Sequence, residues 1–159
     1  MTLQRSIERQ TDSVVVLPKP ARPVSFAGLM TLYESNFIRL GWLLPEFPPA
    51  GTSLVSRVPA DIPLFLRVEK IERYTTTVTL TYYFKDGLTP IADPDLQVRL
   101  YHDACLAEAM ACTDNHRHAA LQPFATGNGT ELQRRWNRNM MLNKWLEYCA
   151  DQGHSFEDG

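Results

Sequence analysis

The stretch TTTVTLTYYF, residues 75–84, decides the fold class. Val78, Leu80, Tyr82 and Phe84 fall on one side of an extended chain, and Thr77, Thr79, Thr81 and Tyr83 on the other. Successive side chains of a strand point to opposite faces, so this alternation means one face in a core and one in water. The residues are β-branched or aromatic, the types that fit a pleated, half-buried surface. A second alternation precedes it, with Leu64, Leu66 and Val68 interleaved with Phe65, Arg67 and Glu69. The link ERYTT between the two suits an antiparallel hairpin and is too short for the crossover that a parallel pair needs. A weaker strand is predicted over Ser53–Val58.

Helical spacing appears on both sides of these strands. Phe26, Met30, Tyr33, Phe37, Leu40 and Leu44 recur at steps of four or three, and Leu29 and Leu43 widen the stripe. Ser25 is placed to cap this helix and Pro45 to stop it. Near the other end, Thr130 and Gln133 have capping-box spacing. Leu142, Trp145, Leu146 and Cys149 form the stripe of the last helix, and Gly153 suits its end. KDGLTPIADPD, residues 85–95, reads as a loop from its Gly, Pro and Asp content. The expected architecture is α+β: an N-terminal helix, an antiparallel sheet of three to five strands and a C-terminal helix. Both apolar stripes need cover, which places the helices on one sheet face. Residues 1–24 read as a flexible, proline-containing arm, 25–153 as a single domain and 154–159 as a polar tail.

The chain has 159 residues, enough for one core without disulfides or metal. Its formal net charge of -2 supplies no global attraction for nucleic acid or acidic membranes, so neither is an expected partner. Cys105, Cys112 and Cys149 are odd in number and lack C-x-x-C spacing. They are expected to be reduced packing residues of a cytoplasmic protein. The apolar run Val14–Leu17 is too short for a signal-peptide core or a membrane span.

VRLYHDA, residues 98–104, concentrates chemistry-bearing side chains. A regular strand from Leu96 puts Val98, Leu100 and His102 on the core face, and Arg99, Tyr101 and Asp103 on the other. His102 and Asp103 then face opposite ways, against a catalytic dyad unless a bulge intervenes. His102 is expected to close the core edge. Residues 104–112 admit two readings. In one, Asp103 caps a helix; in the other, the strand continues with Ala104, Leu106 and Met110 inward.

Arg99, Tyr101 and Asp103, with Arg73 and Tyr74 at the rim, have the donors for a carboxylate or phosphate. They also suit an ordinary solvated sheet face. Asn36, at the edge of the first helix's stripe, needs hydrogen-bond partners in a loop or a cleft. Ile38 and Trp42 lie on that helix's far side and suggest a partner surface or a second packing layer. Arg134, Arg135 and Arg138 surround Trp136 as an anion or partner site. Cys112, His116 and His118 invite a zinc reading, but a fourth ligand at recognisable spacing is missing, so no metal or cofactor is expected. No P-loop, G-x-G-x-x-G, G-x-S-x-G or H-E-x-x-H motif is present, and nucleophile-plus-base chemistry has no sequence support.

Four segments, LYESNFIRLGWLLPE, ERYTTTVTL, VRLYHDACLAEA and NKWLEYCADQG, occur in the same order as in the YqiB-like family, which the chain resembles from about Leu29 to Gly153. The resemblance implies a single-domain bacterial cytoplasmic protein, from a family of unknown function, and carries no catalytic residue or cofactor. Two functions are expected. The first is a non-enzymatic interaction module with a protein partner or a second copy of itself. The alternative is an enzyme or sensor for a small anionic, nucleotide-like ligand held by Arg73, Arg99, Tyr101 and His102 or Asp103.

Overall fold

The structure is a computed structural model that describes residues 25–86, 88–111 and 129–157. The arm before Ser25 and the Cys112, His116 and His118 group lie outside these residues. Ser25 caps the first helix by accepting from the Gly28 N–H at 3.0 Å, and α1 follows over Phe26–Leu43. Five strands come next: β1 (Ser53–Val58), β2 (Asp61–Ile71), β3 (Thr75–Asp86), β4 (Thr89–Tyr101) and β5 (Leu106–Ala111). The last element is α2 (Glu131–Gln152), which starts with the Thr130–Gln133 capping box and ends at Gly153, whose φ of 93° favours glycine. Each strand pairs antiparallel with the next, in the spatial order β1-β2-β3-β4-β5. The fold is the α+β arrangement that the two periodicities imply.

Leu64, Leu66, Val68, Val78, Leu80 and Tyr82 are buried on one sheet face, with Leu96, Val98 and Leu100 of β4 beside them. Leu40 and Leu43 of α1, with Leu142, Trp145, Leu146 and Cys149 of α2, cover that face. Leu29, Leu32, Tyr33 and Trp136 make a smaller second cluster. The helices run parallel, because their contacts rise together in number: Gly28 faces Trp136, Ser35 bonds Asn143, and Leu43 bonds Phe156 just past α2. A Cβ at Gly28 would lie 3.1 Å from the Trp136 ring, so the small residue permits this approach. No helix among the described residues is long and apolar enough to cross a membrane.

Four local expectations need correction. KDGLTPIADPD is not a loop throughout: β3 runs to Asp86 and β4 starts at Thr89, with Asp86 paired to Thr89. Pro94, after a cis bond from Asp93, sits where the ladder shifts register between Thr81 and Tyr83. A strand tolerates a residue without an N–H at such an irregularity. Second, residues 102–105 form a turn, with Cys105 at φ 56°, before the strand resumes. The turn shifts the alternation by one, so Ala107 and Ala109 face inward rather than Ala104, Leu106 and Met110. Third, the polar tail expected from residue 154 begins later, because His154 and Phe156 are both buried. Finally, Phe26 is 71% exposed although it heads the apolar stripe of α1.

Candidate functional site

The edge strand β5 meets a buried polar seam. An edge strand presents unpaired N–H and C=O groups that must be covered or kept in water. Here the Ala109 N–H donates to Asn139 Oδ1 at 2.7 Å, and Arg138 Nε donates to the Ala109 carbonyl at 3.2 Å. Asn36 Nδ2 donates to the Ala107 carbonyl at 3.4 Å and to Asn139 Oδ1 at 3.3 Å. Asn143 Nδ2 donates to Ser35 Oγ at 2.8 Å and to Asn36 Oδ1 at 3.1 Å. The amide of Asn36 therefore bonds a strand edge and a helix, neither a loop nor a cleft ligand. Sequence reading missed Asn139 and Asn143. Their spacing of four on the stripe beside Leu142 was the available signal.

The candidate anion set is divided among three places. Arg99 and Tyr101 are on the sheet face opposite the helices, with Arg99 paired to Thr77 and Glu108, as alternation requires. Two carboxylates share their surroundings. Glu108 accepts from the Tyr101 and Tyr33 hydroxyls, each at 3.1 Å. Burial and this carboxylate hold the Tyr33 hydroxyl well above its ordinary pKa. Glu72 is close enough to feel Arg99, and its carboxyl is lowered mainly by the hydrogen bond from Lys70.

Arg73 and Tyr74 are in the β2–β3 turn, where the guanidinium lies 5.3 Å from the ring centre. Asp103 is in the β4–β5 turn and exposed, so it leaves the face that Arg99 and Tyr101 share. The two turns are adjacent, since the His102 N–H donates to the Tyr74 carbonyl at 2.9 Å. His102 Nε2 is 2.7 Å from Thr76 Oγ1, and its ring meets Phe47 edge-on at 5.5 Å. The residue is exposed, yet its ring borders the core.

The candidate partner surfaces fare differently. Trp136 is only 7% exposed and belongs to the second cluster, so it offers no surface anchor. The short apolar stripe of early α2 hid this, because Trp136 is covered by residues of α1, with Leu106 of β5 at the edge of the same cluster. Arg134 and Arg135 are both paired with Glu131, at 3.1 and 3.4 Å, and Arg138 covers the β5 edge. The Arg134 bond is the main cause that holds the Glu131 carboxyl below its usual range. Ile38 and Trp42, in contrast, are 44% and 51% exposed on the outward face of α1. The buried Arg39 places its guanidinium 5.4 Å from the Trp42 ring centre.

A second polar cluster drew no attention in the sequence. His154 Nδ1 is 2.9 Å from Ser56 Oγ, and His154 Nε2 is 3.0 Å from Asp61 Oδ2. The Tyr82 hydroxyl donates to the same Asp61 oxygen at 2.5 Å. Burial raises the pKa of Tyr82 well above its ordinary value and is also the largest cause of the rise at Tyr148. The line Ser56–His154–Asp61 has the residue types of a hydrolase triad, but Ser56 is buried and its Oγ already accepts from the Ser155 N–H at 3.0 Å. The cluster acts as a latch that ties the segment after α2 to β1 and β2. Its members come from distant parts of the chain, so no local motif announces them. Among the described residues, no group of three or more His, Cys, Asp or Glu side chains could hold a metal ion.

Known proteins are similar to this chain over most of its length. The Uncharacterized protein YqiB of Escherichia coli strain K12 is 30% identical over 128 residues, which cover 80% of this chain and 90% of that protein. The proteins of the same description in strains O6:H1 and O157:H7 match to the same extent. No solved structure matches. A family model described as a protein of unknown function, DUF1249, matches residues 39–155, a span that holds the whole sheet, α2 and the His154–Asp61 latch. With that share of its length matched, the chain belongs to the DUF1249 family of proteins of unknown function.

Proposed function

We propose that this domain is a protein-binding module that docks its partner on the outward face of α1. The observation that carries the reading is the exposure of Ile38 and Trp42, one helical turn apart, on a helix whose other side is locked into the core. A helix held this way presents its side chains with little ordering cost on binding. Tryptophan is among the residues most enriched among binding hot spots, and the buried Arg39 guanidinium holds the Trp42 ring from beneath, 5.4 Å from its centre. The anionic-ligand reading has less support, because Glu72 and Glu108 surround Arg99 with negative charge.

Photo-cross-linking in the source bacterium tests the proposal. A benzophenone side chain placed at position 42 should give one discrete adduct, and the same group at Val55, exposed on β1, should not. An adduct of twice the chain's mass would identify the partner as a second copy. Identical adduct patterns from both positions would sink the reading.

A further inference from the structure

The structure holds a cleft of about 420 Å³ where α1 ends. Leu44, Phe47, Leu54 and Phe156 line it, with Pro45 and Pro48. Glu46 and Glu157 are the remaining lining residues, both exposed, and among the described residues no Lys, Arg or His joins them. The walls are held from outside the cleft. The Phe156 N–H donates to the Leu43 carbonyl at 2.8 Å, and the latch at His154 anchors the same segment two residues earlier. The Phe47 ring rests against the edge of His102, which Thr76 fixes in turn. A preformed hollow of this size, part apolar and part polar, falls in the range of sites that take a large side chain or a small ligand.

We infer that this cleft receives a large apolar side chain that stands next to a lysine or arginine in a partner protein. The apolar part of the lining selects the first feature. The two carboxylates, with no cation among the described lining residues, select the second by charge complementarity. The chain passes from Trp42 at the end of α1 directly into Leu44–Pro48 of the cleft wall. Trp42 thus stands two residues before Leu44, the first lining residue in the chain. The choice of a protein as occupant rests on the α1 reading, whereas the chemistry of the cleft rests on its own lining.

The test uses the full 159-residue chain and two matched probes, the N-acetylated dipeptide amides of leucine–lysine and leucine–glutamate. Amide resonances are followed by NMR during titration. The lysine probe should shift the amides of residues 44, 46, 47, 54, 156 and 157. It should bind about 5-fold more tightly than the glutamate probe, the scale of two exposed charge pairs. A Glu46→Gln, Glu157→Gln double variant should reduce that preference to about 2-fold or less. Both side chains are exposed, so the variant keeps its fold, and unchanged resonances in the sheet check this. Equal binding of the two probes, or shifts confined to other residues, overturns the inference. Binding of the lysine probe without any cross-link at position 42 would remove the α1 surface and leave the cleft. A cross-link at position 42 with no preference for the lysine probe would remove the cleft and leave the surface.

Discussion

The Cys149 thiol is fully buried, and burial pushes its pKa from an ordinary 9.0 up to about 12. The nearby Asp61 charge adds to the rise, and the hydrogen bond with Tyr82 opposes it. In the unfolded chain the thiol loses its proton above pH 9, while the folded chain keeps it. The unfolded state then binds fewer protons, so stability falls as pH rises from 9 towards 12, by about 1.4 kcal/mol per unit. Below pH 9 the thiol contributes no pH dependence. Tyr33 and Tyr82, both raised from 10.0, act with the same sign from pH 10 upward. Urea unfolding at pH 8, 9 and 10 should show wild type losing about 1.4 kcal/mol more than Cys149→Ala over this range. The smaller loss left in Cys149→Ala comes from the two tyrosines, which begin to act as pH 10 is reached. A level wild-type profile would contradict the burial account. Cys149 was legible as a packing residue from its place on the α2 stripe. Its polar neighbours Asp61 and Tyr82 were not, because they come from strands far away in the chain.

The covering of β5 is decided between elements. Asn139 Oδ1 accepts from the Ala109 N–H inside the protein, so Asn139→Ala leaves a buried donor without its partner. That loss costs about 1–3 kcal/mol. Native-state hydrogen exchange should speed up at the Ala109 amide more than at amides in the middle of β3. Asn139→Asp keeps an acceptor and should restore much of the protection at Ala109. No change at Ala109 in the alanine variant would mean that the edge is shielded by something else. β1 to β3 and β4 from Leu96 onward could be read from alternation, whereas the first half of β4 reads as a loop from its Pro and Asp content. The seam could not, because helical spacing shows that Asn36 and Asn139 face inward but not that the two helices meet at a strand edge.

Two tryptophans separate core from surface across the whole molecule. Trp136 fills the cluster between the helices, and Trp136→Ala should cost about 3–5 kcal/mol. Trp42 is half exposed, and Trp42→Ala should change stability by no more than about 0.5 kcal/mol. If α1 docks a partner, the second variant keeps its melting temperature and loses the cross-linked adduct. A large drop in its melting temperature would instead make Trp42 a structural residue. Sequence reading put Trp42 and Trp136 together as surface candidates. Both lie off the main stripes, and only the parallel packing of α1 on α2 buries one of them.

Local pattern alone determined the α+β class, the antiparallel pairing of β2 with β3, both helix caps and most of the main core. These features depend on periodicity and on neighbours a few residues apart. Tertiary structure decided where the parity of alternation resets, at the turn of residues 102–105, and so which side chains of β5 point inward. It also decided which polar groups are buried with partners: Asn36 with Asn139, Glu108 with Tyr33, and His154 with Asp61. A hydrogen bond between residues 75, 93 or 103 positions apart leaves no local trace, because its geometry exists only after the helices have packed on the sheet.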